Sequence, residues 1–148
     1  MDLALRGFRV VRFEFPYVAE RRKTGRMRPP DREPVLRQTW LDVIMSLDPK
    51  QLIIGGKSLG GRIASLIAYE TGVAGLVYLG YPIHPTGQPD RLRIEHLPTL
   101  KTPTLILQGE RDPFGCRDEV PGYSPSDTIR FHWLAVVRGL KRGQFRDE

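Results

Sequence analysis

Leu52-Ile-Ile-Gly-Gly-Lys-Ser-Leu-Gly-Gly-Arg-Ile-Ala-Ser65 carries two motifs laid over each other. Gly56-Lys57-Ser58 looks like the end of a phosphate-binding loop, and Gly56-Lys57-Ser58-Leu59-Gly60 fits the Gly-x-Ser-x-Gly nucleophile elbow. A phosphate loop requires a glycine five residues before Gly56, where this chain has Gln51. The residues between, Leu52-Ile53-Ile54, are strand-like and leave no loop to wrap a phosphate. The elbow meets every local requirement. A short apolar strand, Gln51 to Gly55, runs into the turn, and a small-residue helix from Arg62 to Glu70, closed by Gly72, leaves it.

The chemistry of such a turn dictates what to seek elsewhere. Small residues two before and two after the serine let strand and helix approach closely, and Gly56 and Gly60 supply them. The helix aims its positive end at Ser58, and the Leu59 N–H is one oxyanion donor. A serine nucleophile needs a base and the base an orienting acid, in chain order Ser, Asp/Glu, His. Asp112 follows the apolar strand Thr102 to Gln108, at the strand end where sites of open α/β sheets gather. Glu110 is the second choice, and the competing structural role for Asp112 is a turn-forming Asp-Pro. His132 comes late enough to be the base, but it sits inside the last strand. His84 lies in the loop after Ala74 to Tyr81 and is expected at the pocket mouth, whereas His96 reads as a packing or surface residue.

Outward from the elbow, strands alternate with helices. Gly7 to Phe15 alternates apolar and charged residues and predicts a strand stopped by Pro16. Residues 16 to 33 read as a basic loop. Val35, Leu36, Trp40, Leu41, Val43, Ile44 and Leu47 recur at helical spacing, from Pro34 to the Asp48-Pro49 stop. Ala74 to Tyr81 predicts a strand, 82 to 91 a loop and Leu92 to Leu100 a short helix. A strand over Thr102 to Gln108, a weak helix over Cys116 to Val120 and a last strand over Asp127 to Leu134 complete the series. Continuous apolar strands between helices imply a parallel sheet covered on both faces.

The 148 residues suffice for one domain. A lone Cys116 excludes a disulfide framework and a cysteine-based zinc site. No apolar run would span a membrane and no signal peptide is visible, so a cytoplasmic setting is expected. The net charge of +6 gathers in Arg21 to Arg28 and Arg138 to Arg146, without interleaved aromatics or a DNA- or RNA-binding motif. Solvated segments are the expectation, with nucleic-acid binding a distant alternative.

Gly55-Gly-Lys-Ser-Leu-Gly-Gly-Arg62, Leu79-Gly-Tyr-Pro-Ile-His-Pro-Thr-Gly87, Leu92-Arg-Ile-Glu-His-Leu97 and Pro103-Thr-Leu-Ile-Leu-Gln-Gly-Glu-Arg-Asp-Pro-Phe-Gly115 resemble bacterial α/β-hydrolases related to testis-expressed protein 30, often labelled dienelactone-hydrolase-like. The similarity runs from about Gly7 to Leu134. It implies the α/β-hydrolase fold, with Ser58 as nucleophile and Asp112 as acid. Two departures stand out. Family members carry a strand ending in a glycine-rich loop, the source of the second oxyanion donor, before the strand matching Phe8 to Phe15. Its absence would leave a gap beside Gln51 to Gly55 or force the two flanking strands to pair. After Leu134 the family continues into an Asp-His pair, and Gly139 stands about where the histidine belongs.

The expectation is therefore an α/β-hydrolase fold with a mostly parallel sheet of about five strands and helices on both faces. The partial domain covers 1–134 and a divergent basic tail 135–148, as in a chain truncated at both ends. It would cleave an ester or related acyl bond of a small molecule through Ser58, Asp112 and, for want of another base, His132. Leu59 would serve as oxyanion donor, and Lys57, Tyr81 and His84 as pocket residues. No cofactor, metal, nucleic acid or membrane is implied. Turnover is expected to be impaired, and the alternative is a non-catalytic binding or scaffold protein retaining the fold.

Overall fold

A computed structural model describes residues 3–123 and 125–135. Four strands, β1 (Ile53–Lys57), β2 (Gly75–Leu79), β3 (Thr104–Gly109) and β4 (Ile129–Leu134), form one sheet in the order β1-β2-β3-β4. All three pairings are parallel. Helix α1 spans Pro16–Thr24, α2 Glu33–Met45 and α3 Leu59–Thr71. The β1–Ser58–α3 unit starts two residues later and its helix three residues earlier than the glycine pattern indicates, because Ser58 alone makes the turn.

Alternation divides the sheet into two unlike faces. Ile54, Leu76, Tyr78, Thr104, Ile106, Gln108 and Ile129 are buried on one face, where α3 packs on β1 and β2. The helix offers them Gly61, Ile63, Ala64, Ser65, Ile67 and Ala68, a buried stripe at helical spacing. Gly61 is required for that contact, since a Cβ there would stand 2.7 Å from the Tyr78 ring and 2.8 Å from the Gly56 carbonyl oxygen. Helix α2 adds Leu36, Trp40 and Ile44 to the same core. Each such apolar side chain contributes roughly 1.5–3 kcal/mol by leaving water.

The opposite face carries Ile53, Val77, Leu79, Leu105, Leu107, His132 and Leu134, and among the described residues no helix covers it: Ile53 is 59% and Leu79 50% exposed. This corrects the expectation of helices on both faces, and topology supplies the reason. Strands added one after another in a single direction through right-handed crossovers place every connection on one side. Only a reversal of strand order would carry a helix to the other side.

Three further elements differ from expectation. Phe8 to Phe15 is not a strand, so the sheet has four strands among the described residues rather than five. Alternation supplies side chains for a sheet face but not the neighbouring backbone that makes a strand. The segment is held through aromatic rings instead: Phe13 packs edge-on against Trp40 with centroids 4.6 Å apart, and Phe15 is buried beside α3. Of the two alternatives for its relation to β1, the gap is found: a groove of ≈ 400 Å³, lined by Phe13, Trp40, Ile44 and Ile54, separates them. Of the basic stretch 16 to 33, Pro16–Thr24 is helical rather than loop, while residues 25 to 32 are irregular as expected. Pro16 starts α1, Gly25 ends it at φ 68°, and ion pairs of Arg22 with Glu14 and of Arg28 with Glu20 and Asp31 neutralise part of its charge. Leu92 to Leu100 narrows to a single 3₁₀ turn, Leu97–Thr99, and the weak helix after Cys116 is a 3₁₀ turn over Val120–Tyr123. The tail expected from residue 135 lies, beyond Ala135, outside the described residues, as does Gly139.

Candidate active site

Ser58 sits between the carboxyl end of β1 and the first turn of α3 at φ 49° and ψ −116°, the sole non-glycine residue with positive φ among those described. Such a conformation costs about 1–3 kcal/mol and persists only where its surroundings impose it. Here the imposition is visible. The Ser58 N–H donates to the carbonyl oxygens of Leu79 at 3.3 Å and Gly80 at 3.1 Å, tying the turn to the end of β2. Gly56 and Gly61 admit α3 against β1, where a Cβ on Gly56 would meet the backbone of Gly60 and Gly61 at 3.0 Å. The first N–H groups of α3, that of Leu59 leading, have no acceptor within the helix and face the turn with its positive end.

Asp112 lies in the loop after β3, two strands from β1 and on the same edge of the sheet. Gly80 links it to Ser58: the Gly80 carbonyl holds the Ser58 N–H, and a Cβ on Gly80 would stand 3.4 Å from Asp112 Oδ2. Both residues line one cleft of ≈ 390 Å³, together with Lys57, Leu79, Pro82, Arg111 and Phe114. Asp112 Oδ1 accepts the Phe114 N–H at 2.9 Å, so the carboxylate also shapes its own turn. Glu110 is engaged elsewhere, by Arg117 at 2.8 Å.

Beneath the cleft lies Gln108, fully buried, which pattern reading passes over as one more strand residue. Its Oε1 accepts the Tyr81 N–H at 2.7 Å, and its Nε2 donates to the carbonyls of Tyr81 at 3.3 Å and Gly115 at 3.0 Å. One side chain thus fastens the loop after β2 to the loop after β3, the two loops that hold Ser58 and Asp112 in register. A glutamine ending a buried strand, where an apolar residue is the rule, was the available signal.

The three histidines of the sequence are placed away from Ser58. His132 is paired in register across β3 and β2 with Lys57, so three strand spacings, roughly 14 Å, separate it from the elbow. It is exposed on the open sheet face and out of hydrogen-bond reach of Ser58, which corrects its nomination as base. His84 is buried, with Nδ1 at 2.9 Å from the Pro85 carbonyl and Nε2 at 3.2 Å from Glu119 Oε2. The Pro85 carbonyl, and after it Glu119, hold its pKa above the ordinary range. The Cys116 N–H and His84 in turn lower that of Glu119. His96 packs on α3, with Nε2 at 2.7 Å from Ser65 Oγ, and burial, reinforced by Arg62, lowers its pKa. Because the Ser65 hydroxyl donates to the Arg62 carbonyl at 2.6 Å, the imidazole Nε2–H is the donor to Ser65.

Of the expected pocket residues, Lys57 lines the cleft, while Tyr81 and His84 do not. Tyr81 is buried behind it, its hydroxyl donating to the Arg93 carbonyl at 3.1 Å and pushed up to about 12 by that burial. Arg111, Pro82 and Phe114 line the cleft without having been anticipated; Arg111 is the neighbour of Asp112 in the same strand-end loop. Among the described residues no group of three or more His, Cys, Asp or Glu side chains is placed to hold a metal ion, and no helix is long and apolar enough to cross a membrane.

The strained serine between a parallel strand and a glycine-flanked helix, the acid two strands away on the same edge and the one-directional parallel sheet are a recognisable set. The family model for an alpha/beta hydrolase domain matches residues 1–137, and the chain accordingly belongs to the α/β-hydrolase family.

Proposed function

We propose that this protein is a serine hydrolase of the α/β-hydrolase family, acting on an ester or related acyl bond of a small molecule, and that this chain turns substrate over slowly. The observation carrying the reading is the backbone of Ser58, held at φ 49° between β1 and α3 over the cleft it shares with Asp112. In this reading Ser58 Oγ attacks the acyl carbon and the alcohol leaves with a proton. Water then releases the acid from the acyl-enzyme. The Leu59 N–H stabilises the oxyanion, Asp112 is the acid member, and Lys57 contacts substrate. A cytoplasmic location and kinship with the dienelactone-hydrolase-like relatives of testis-expressed protein 30 go with it.

Slow turnover rests on the base. With His84, His96 and His132 all engaged or distant, no histidine among the described residues reaches Ser58. A positioned general base contributes about a hundredfold to ten-thousandfold. That same observation favours the second reading, a binding protein that keeps the hydrolase fold without its chemistry.

The test is p-nitrophenyl acetate hydrolysis by the native chain and by Ser58→Ala, each with and without added imidazole. Without imidazole the two should differ little. With it, the native chain should exceed the variant, because a diffusible base activates Ser58. A Ser58-dependent rate that imidazole does not raise refutes the impairment. Equal rates in imidazole refute Ser58 as nucleophile and leave the binding reading.

A further inference from the structure

Two stretches of unpaired backbone face each other across the groove of ≈ 400 Å³ beside β1. Among the described residues β1 is the outermost strand of the sheet on that side. Along a strand in a parallel ladder, alternate residues turn both backbone groups to the same neighbour. The Leu52 carbonyl accepts the Ala74 N–H at 2.9 Å, and the Ser58 N–H donates to the Leu79 carbonyl at 3.3 Å. Positions 52, 54, 56 and 58 therefore face β2, while Ile53, Gly55 and Lys57 turn their N–H and C=O groups outward. Val11 and Phe13 form the opposite wall. From Arg9 to Glu14 no backbone group makes a hydrogen bond among the described residues, although this stretch carries the alternation of a strand. An outer edge alone is shared by every open sheet. What sets this one apart is the second unpaired wall across the groove.

Helix α2 forms the floor, through the buried side chains of Trp40 and Ile44. The Trp40 indole N–H is itself buried without an acceptor. Size points to the same kind of occupant. A strand as long as β1, at ~3.3 Å per residue, ~4.8 Å wide and filling half of the ~10 Å layer spacing, takes up about 400 Å³. A small apolar molecule would cover the floor and leave both walls unpaired. An extended polypeptide presents N–H and C=O groups to both sides, while every second side chain points down. Those side chains should be β-branched or aromatic, to pack on Trp40 and Ile44. Acidic flanks suit Arg9 and Arg12, which are exposed and also line the groove.

We infer that this groove docks an extended segment of a partner polypeptide, added as a strand between β1 and the Phe8–Phe15 segment. The inference is independent of the chemistry at Ser58. The probe is the peptide acetyl-Glu-Val-Thr-Val-Thr-Val-Glu-amide, added to the full 148-residue chain, with amide–water exchange followed by NMR. At ten times its dissociation constant the peptide should slow exchange at Ile53 and Gly55 about tenfold, the ratio that mass action sets. Ile54 and Gly56, already turned to β2, should stay unchanged. Two further peptides carry N-methyl groups on the valines or on the threonines, which keeps every side chain and blocks one backbone edge in each. Each should bind at least about fivefold more weakly, the effect of two or three lost hydrogen bonds. No binding, equal binding of the N-methylated peptides, or protection confined to other amides overturns the inference. Protection of Ile53 and Gly55 in the free chain that fades on dilution assigns the groove to a second copy of this chain and overturns the partner assignment.

Discussion

Replacing Gln108 by leucine isolates the element on which the cleft depends. The two side chains are close in size, so the change deletes hydrogen bonds more than it opens a cavity. Two buried backbone groups lose their partner, the Tyr81 N–H and the Gly115 carbonyl, while the Tyr81 carbonyl keeps the Ile83 N–H at 3.0 Å. A buried group left unsatisfied costs about 1–3 kcal/mol. Two such groups sum to roughly 2–6 kcal/mol, and the burial of leucine in place of an amide returns roughly 1.5–3. A net loss of about 2 kcal/mol, the difference between the midpoints of those ranges, is expected, read as a lower urea midpoint at unchanged slope. Gln88→Leu, on an exposed loop, is the control and should stay within about 0.5 kcal/mol. The consequence for the site is separate. Tyr81 follows Gly80, whose carbonyl holds the Ser58 N–H, and Gly115 closes the Asp112 loop, so NMR shifts at Ser58 and Asp112 should both move. A loss below about 1 kcal/mol would mean that the loops satisfy these groups without Gln108, and the account of how the cleft is held would be wrong.

Two further outcomes follow from the same loops. Gly115 lies at φ 143°, where a Cβ would come within 2.6–2.9 Å of Ile83, itself buried; Gly115→Ala should destabilise by about 1–3 kcal/mol in thermal unfolding, and an unchanged midpoint would show that Ile83 yields freely. The His84–Glu119 pair should shape stability against pH. The pKa of His84 is raised, so its contribution is complete below its ordinary value of 6.5 and is lost as pH climbs through the folded value. That of Glu119 is lowered, so its contribution is complete above 4.5 and is lost as pH falls. Both are present between those limits, and His84→Gln should remove the decline in melting temperature above pH 6.5; a native chain with no decline there would contradict the pairing.

Much was legible in the sequence where short-range physics decides. Gly56-Lys57-Ser58-Leu59-Gly60 after an apolar strand leaves few conformations open, because only a sharp turn permits strand and helix backbones to approach at Gly56 and Gly61. The apolar runs of β1, β2 and β3 likewise mark strands shielded by neighbours, and the carboxyl end of β3 marks where Asp112 must emerge. What the sequence left undetermined are relations between distant segments. Phe8 to Phe15 has the alternation of a strand, yet a strand exists only with a partner, and here Phe13 finds Trp40 while a groove lies between the segment and β1. Residues 16 to 24 lack an apolar stripe and still form a helix, because its proline and glycine caps act locally, without a core-facing period. His132 stands late enough in the chain to serve Ser58, and only strand order and register put it three strands away. Gln108, Arg111 and the bare second face of the sheet belong with these. Chain order fixes which residues exist and how each short stretch bends, while burial, pairing and reach depend on what the fold brings alongside.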